Sequence, residues 1–127
     1  MTGAADIAVA RVGDAAEAGR ARLLVDRLWP RGVARATLGH DAWLREIAPS
    51  DALRQWFGHD PARWNEFRQR YRAELDANSD AVARALDWCR RGPVVLLFAA
   101  RDRQHNQAVV LKDYMRERLE RYATDHA

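Results

Sequence analysis

The run Val94–Ala99 (V-V-L-L-F-A) constrains the fold more than any other feature of this chain. It is apolar throughout, with no polar alternation, as in a strand covered on both faces. Gly92-Pro93 stands before it as a helix stop, because Gly accepts a left-handed cap and Pro cannot continue a helix. A doubly covered strand belongs in a largely parallel sheet with helices packed on it. Directly after the run the chain turns polar, as A99-A-R-D-R-Q-H-N106. Ligands of open α/β sheets bind beyond the carboxyl ends of the strands. The loop after Phe98 is therefore where a site is first sought.

The remaining elements follow from periodicity and punctuation. Ile7–Val12 alternates weakly and reads as a first strand, and Arg22–Leu28, with Leu23, Leu24 and Val25, as a second. Ala42–Ile47 reads either as a short strand or as a helical turn. Ser50 caps a short helix that runs to Phe57 and that Gly58 ends. Asp60-Pro61 opens another, with an acidic cap and proline at the first helical position. Trp64, Phe67, Tyr71 and Leu75 fall on one face of that helix. Ser79 caps the next, whose Val82, Leu86 and Cys89 share a face. A last helix spans about Gln104 to Tyr122, with Ala108, Leu111, Met115, Leu119 and Tyr122 as its buried stripe. This order predicts one three-layer α/β domain over residues 1–127, with a small, largely parallel sheet flanked by helices.

Composition narrows the function classes. No apolar stretch approaches the roughly 20 residues of a membrane span. The first ten residues lack the basic start and apolar segment of a secretory signal. Cys89 is the only cysteine, so an internal disulfide is impossible and a reducing cytoplasm is the expected compartment. The formal charge of +3, carried almost wholly by arginine, is too small to mark a nucleic-acid surface by itself. One Cys and scattered His do not form a zinc spacing, and no glycine-rich phosphate loop or dinucleotide fingerprint is present. No metal or cofactor is expected.

Two polar blocks at strand ends carry the candidate site. In V25-D-R-L-W-P-R-G32, Pro30 forces an extended or turned chain and Gly32 permits a tight turn. That arrangement presents Asp26, Arg27 and Arg31 to a ligand, with Trp29 as a stacking wall. The bland alternative is an ion pair for Asp26 and packing for Trp29. In the second block Arg101, Asp102, His105 and Asn106 stand at the start of the last helix, where free N–H groups favour anions. Asp102 reads as the helix cap. His105 and Asn106 read as site residues, His105 as a proton carrier near neutral pH, in partnership with Asp26. Between these blocks, Trp56 and Phe57 read as core, Asp60 as a cap, and His59 as an exposed histidine of open role.

These blocks together resemble the YeaO-like family of bacterial domains (DUF488). The pattern Val-Asp-Arg-Leu-Trp-Pro-Arg-Gly is matched at Val25–Gly32. A second, Ala-Pro-Ser through Trp-Phe-Gly-His-Asp, is matched from Ala48 to Asp60. Trp64, Phe67, Tyr71 and Glu74-Leu75 follow, and then Asp102, His105-Asn106, Ala108-Val109 and Leu111. The match covers about Arg22 to Arg116, and Arg35 and Arg101 stand where relatives often carry Lys. The resemblance implies an α/β fold, a small bacterial protein and a strand at Trp43–Ile47; it implies no activity.

Three functions compete on these residues. The first is an enzyme or binding protein for a small phosphate- or carboxylate-bearing molecule, held by Arg27, Arg31 and Arg101 with Asn106, and worked on by His105 and Asp26. The second is a nucleic-acid binder with Trp29 or Trp56 stacking on bases. The third is an interaction module without chemistry. A concave pocket joining Arg27, Arg31, Arg101 and His105 separates the first from a flat basic stripe with exposed tryptophan.

Overall fold

The structure, a computed structural model, describes residues 6–125. Part of the N-terminal segment read for a signal, and His126, lie outside the described residues. Among the described residues four strands form one sheet: β1 (Ile7–Arg11), β2 (Ala21–Leu24), β3 (Ala42–Trp43) and β4 (Val94–Phe98). All pairings are parallel and the order is β1-β4-β2-β3. The last strand in sequence is thus inserted between the first two, with Val94 opposite both Ile7 and Ala21. All five of its residues are buried.

Successive residues of a strand point to opposite faces, and here both faces are covered. Val94, Leu96 and Phe98, with Leu23 of β2, join a large core whose other side comes from helices α3 (Trp64–Asp76), α4 (Ser79–Arg91) and α5 (Gln107–Asp125). Leu24, Val95 and Leu97 face the other way, under Leu38 of the short helix α1 (Arg35–Leu38) and under Trp29, Val33 and Trp43. That double burial is why the β4 run has no polar alternation. No helix among the described residues is long and apolar enough to cross a membrane.

Local signals act as expected around α2 (Asp51–Phe57). Ser50 Oγ accepts the Leu53 N–H at 3.2 Å, and Gly58 closes the helix in the left-handed region at φ 54°. Asp60 Oδ1 accepts the Ala62 N–H at 3.0 Å, and Pro61 opens a 3-10 turn that runs into α3.

Elsewhere the structure departs from the sequence expectations. The strand implied at Trp43–Ile47 stops at Trp43, and Arg45–Ile47 is a 3-10 turn. The turn sends Ile47 into the core, where its carbonyl accepts the Tyr71 hydroxyl at 2.6 Å. Ser79 lies inside α4, and the cap position is Asn78. Asn78 makes no cap bond; its side-chain N–H donates instead to the Glu46 carbonyl at 2.9 Å. Gly92 adopts φ 155°, ψ −170°, an extended glycine conformation and not the left-handed cap. This lets the chain pass directly into β4, and the Pro93 carbonyl already accepts the Ala21 N–H. Tyr122 is 52% exposed. A 19-residue helix is about 28 Å long, against roughly 17 Å for a five-residue strand, so the end of α5 overshoots the core.

Candidate functional site

Parallel neighbours β2 and β4 leave the sheet at the same end, and Val25 N–H still donates to the Leu97 carbonyl one residue past β2. The two chains then part, Asp26–Arg31 to one side and Ala99–Asn106 to the other. Between them opens a cavity of about 850 Å³. Ala48-Pro49, with Phe57, His59 and Phe67, forms its third wall. Asp26, Arg27, Trp29 and Arg31 of the first block line this cavity, as do Arg101, His105 and Asn106 of the second. Asp102 and His59 line it too.

Asp26 ties the two strand ends together. Its Oδ2 accepts the Ala99 N–H at 3.0 Å and its Oδ1 accepts the side-chain amide of Gln107. Burial pushes the acid up to about 6, although both hydrogen bonds favour the carboxylate. Its own carbonyl accepts the Trp43 indole N–H at 2.7 Å. Gln107 is the partner that sequence reasoning missed. No local pattern links positions 26 and 107; only the insertion of β4 beside β2 brings them together.

His105 is held from two directions. Its Nδ1 lies 2.8 Å from Asp102 Oδ2, and its ring meets Trp64 edge-on at 5.1 Å. Asp102 Oδ1 accepts the backbone N–H groups of Gln104 and His105 at 2.9 and 3.0 Å. The Gln104 N–H and the His105 ring hold its carboxyl below the ordinary carboxylate range. Asp102 therefore both shapes the turn and orients the imidazole, and the (i, i+3) spacing was the available sign of the second role. Nδ1 is engaged by a carboxylate, and Nε2 has no protein partner among the described residues.

The turn around Asp102 also delays α5, which begins at Gln107 instead of Gln104. Asn106 does the capping. It is 2% exposed; Nδ2 donates to the Asp102 carbonyl at 2.9 Å and Oδ1 accepts the Val109 N–H at 3.2 Å. Both ends of its amide are engaged, so its contribution to the cavity is to fix the wall.

The arginines divide in the same way. Arg27 donates from Nε to the Pro49 carbonyl at 3.0 Å and from Nη2 to that of Ala48 at 3.2 Å, clasping the third wall to the first. Arg54 pairs with Asp51 at 3.3 Å. Arg31 and Arg101 are exposed and form no ion pair or hydrogen bond among the described residues. Four arginines thus stand against two aspartates around the cavity.

Trp29 is largely committed to packing. Its N–H donates to the Val33 carbonyl at 2.6 Å, its ring meets His40 and Trp43 edge-on, and Arg35 lies 4.6 Å from its centre. Phe57 and Phe67, stacked at 4.3 Å, are the other aromatic residues along the cavity. Both are core residues that also line the cavity. No group of His, Cys, Asp or Glu among the described residues is placed to hold a metal ion.

The sequence profile of a family described as "Inactive DUF488-N3 subclade" (DUF488-N3i) matches residues 6–127. The chain is 40% identical over 95 residues to the uncharacterised protein YeaO of Escherichia coli (strain K12), a span of 75% of this chain and 83% of that protein. It is 36% identical over 97 residues to the uncharacterised protein Mb3100c of Mycobacterium bovis and to Rv3073c of Mycobacterium tuberculosis, over 76% of this chain and 81% of each. No solved structure matches it significantly.

Proposed function

This chain belongs to the YeaO-like DUF488 family, within the subclade described as inactive, and on that premise we propose that it binds a small anionic molecule at the carboxyl ends of β2 and β4 without turning it over. One observation carries the reading. Two guanidinium groups without partners among the described residues, Arg31 and Arg101, come from separate strand-end loops onto one concave site. A bidentate, planar cation suits phosphate or carboxylate, and a strand-end crevice is where such ligands bind in parallel sheets. His105 then serves as a ligand contact through Nε2, and Asp26 as an acceptor between the strands. The lone cysteine supports a cytoplasmic setting. A nucleic-acid surface is less favoured, because the two arginines without partners among the described residues line a cavity and each of the five tryptophans is half-buried.

A thermal-shift screen of phosphate- and carboxylate-bearing metabolites and short oligonucleotides tests this, since a ligand of the native state raises the midpoint. A small anion is expected to stabilise the protein and to be recovered unchanged. Arg31→Ala should weaken that effect and Arg31→Lys restore it only in part, because an ammonium lacks the planar fork. Unaltered binding in both Arg31→Ala and Arg101→Ala would remove the proposal.

A further inference from the structure

We infer that the ligand is a phosphate monoester of a heteroaromatic ring bearing N–H donors, as in a nucleoside monophosphate, with its phosphate toward Arg31 and Arg101 and its ring edge toward Asp26. This rests on the anion-binding reading above and specifies what the rest of the cavity recognises.

The cavity, about 850 Å³, matches sites that enclose whole small molecules, and a lone anion would leave most of it to water. Its walls are of three kinds. In the cationic part Arg31 and Arg101 are unpaired among the described residues, and Arg27 has Nε and Nη2 engaged there. Arg27 and Arg54 both face Asp51, at 3.8 and 3.3 Å, so the two uncompensated guanidinium groups are Arg31 and Arg101, a pair that suits a dianion better than a monoanion. The second part is apolar: Phe57 and Phe67, Pro30 and Pro49, and Leu28, which is 57% exposed. Flat apolar rings pack on such a surface without needing polar partners. The third part is Asp26. Each of its oxygens accepts one protein N–H and keeps a further acceptor position. A carboxylate repels phosphate, so the portion of a ligand that reaches it must donate hydrogen bonds. Anion, flat apolar body and donor edge in one molecule describe a base joined to a phosphate.

Isothermal titration of the full chain tests this. Probes are the common ribonucleoside 5′-monophosphates, their nucleosides, ribose 5-phosphate, inorganic phosphate, simple carboxylates, and a nucleotide whose base lacks its exocyclic amino group. One monophosphate should bind at least about tenfold tighter than its nucleoside and than ribose 5-phosphate. Arg31→Ala, at an exposed position, should weaken the nucleotide about tenfold and leave the nucleoside unchanged. The amino-lacking analogue should bind about tenfold more weakly, because Asp26 is then left short of a donor, and Asp26→Asn, which keeps one acceptor oxygen instead of two, should reduce that preference to about threefold or less. The analogue comparison needs no variant, so it holds even if Asp26→Asn fails to fold. Ribose 5-phosphate, inorganic phosphate or a carboxylate binding within about threefold of the best nucleotide, in an Arg31-dependent way, would overturn the inference while leaving an anion site. No binding by any phosphate or carboxylate would overturn both readings.

Discussion

Replacing Asp26 with Asn should make the protein's stability less dependent on pH, with a sign that the structure fixes. Burial raises the Asp26 acid from 3.8 to about 6. A group whose acid is stronger unfolded than folded favours folding while protonated. Its contribution is full below about pH 4 and is lost as pH rises through about 6. Each pH unit of difference corresponds to about 1.4 kcal/mol, which sets a ceiling near 3 kcal/mol. Water at the open cavity screens part of that cost, and about 1–2 kcal/mol is the expected loss. Asn has nearly the same shape. It can still accept the Ala99 N–H, and Gln107 can turn its amide to accept from the new NH₂ group. Urea unfolding of both proteins at pH 4.5 and 7.5 measures the effect, as the difference between wild type and Asp26→Asn at each pH. That comparison cancels groups common to both. Asp14, which the Arg103 side chain holds down at about 2, titrates below the window. The wild type should lose about 1–2 kcal/mol relative to the variant on going to pH 7.5. No relative loss, or a gain, would refute the assignment of a raised acid to this position.

Other positions give independent checks. Phe67, 2% exposed and in contact with the core, should cost about 3–5 kcal/mol on replacement by Ala; a loss below about 1 kcal/mol in denaturant unfolding would place it at the surface. Asn106→Ala should cost about 1–2 kcal/mol, because it removes the Val109 bond and leaves the Asp102 carbonyl without its donor. His105→Ala should lower stability by less than about 1 kcal/mol and weaken the anion in the same titration, whereas a cap-like loss with unchanged binding would assign it to the turn alone. Cys89, whose thiol burial pushes up to about 11, should react slowly with a thiol reagent in the folded state, and fast labelling of the native protein would contradict that.

The parts of this fold legible in the sequence are those whose signals are local. The β4 run states its own double burial, Ser50 and Gly58 bound α2, and Asp60-Pro61 marks the entry to α3. The illegible parts depend on partners far along the chain. Asn78 has the chemistry of a cap but gives its amide to Glu46, 32 residues earlier. The residues Ala42–Ile47 read as strand or as helical turn alike, and the choice goes with a distant partner, the Tyr71 hydroxyl on the Ile47 carbonyl of the 3-10 turn. Around the cavity the same division holds. Charged residues after two apolar strands pointed to a shared end of the sheet. Which arginine would be free did not follow, because Arg27 and Arg31 look alike until Ala48 and Pro49 are placed beside one of them. Gln107 carried no sign at all, being 81 residues from Asp26.

The position of β4 also has a consequence for how the chain is made. Strands β1 and β2 are not neighbours; each pairs with β4, at separations such as Ile7 to Val94 and Ala21 to Val94. Until residue 98 has been synthesised the sheet has no centre, and Leu23 and Leu24 have only the two-residue β3 as a strand partner. Long-range parallel pairing is slow, because the loop must close before any contact repays its entropy. A nascent chain halted before β4 therefore exposes apolar strand edges of the kind that aggregate or recruit chaperones. Its helices α2 to α4, whose signals are local, are free to form first and wait for the strand that follows them.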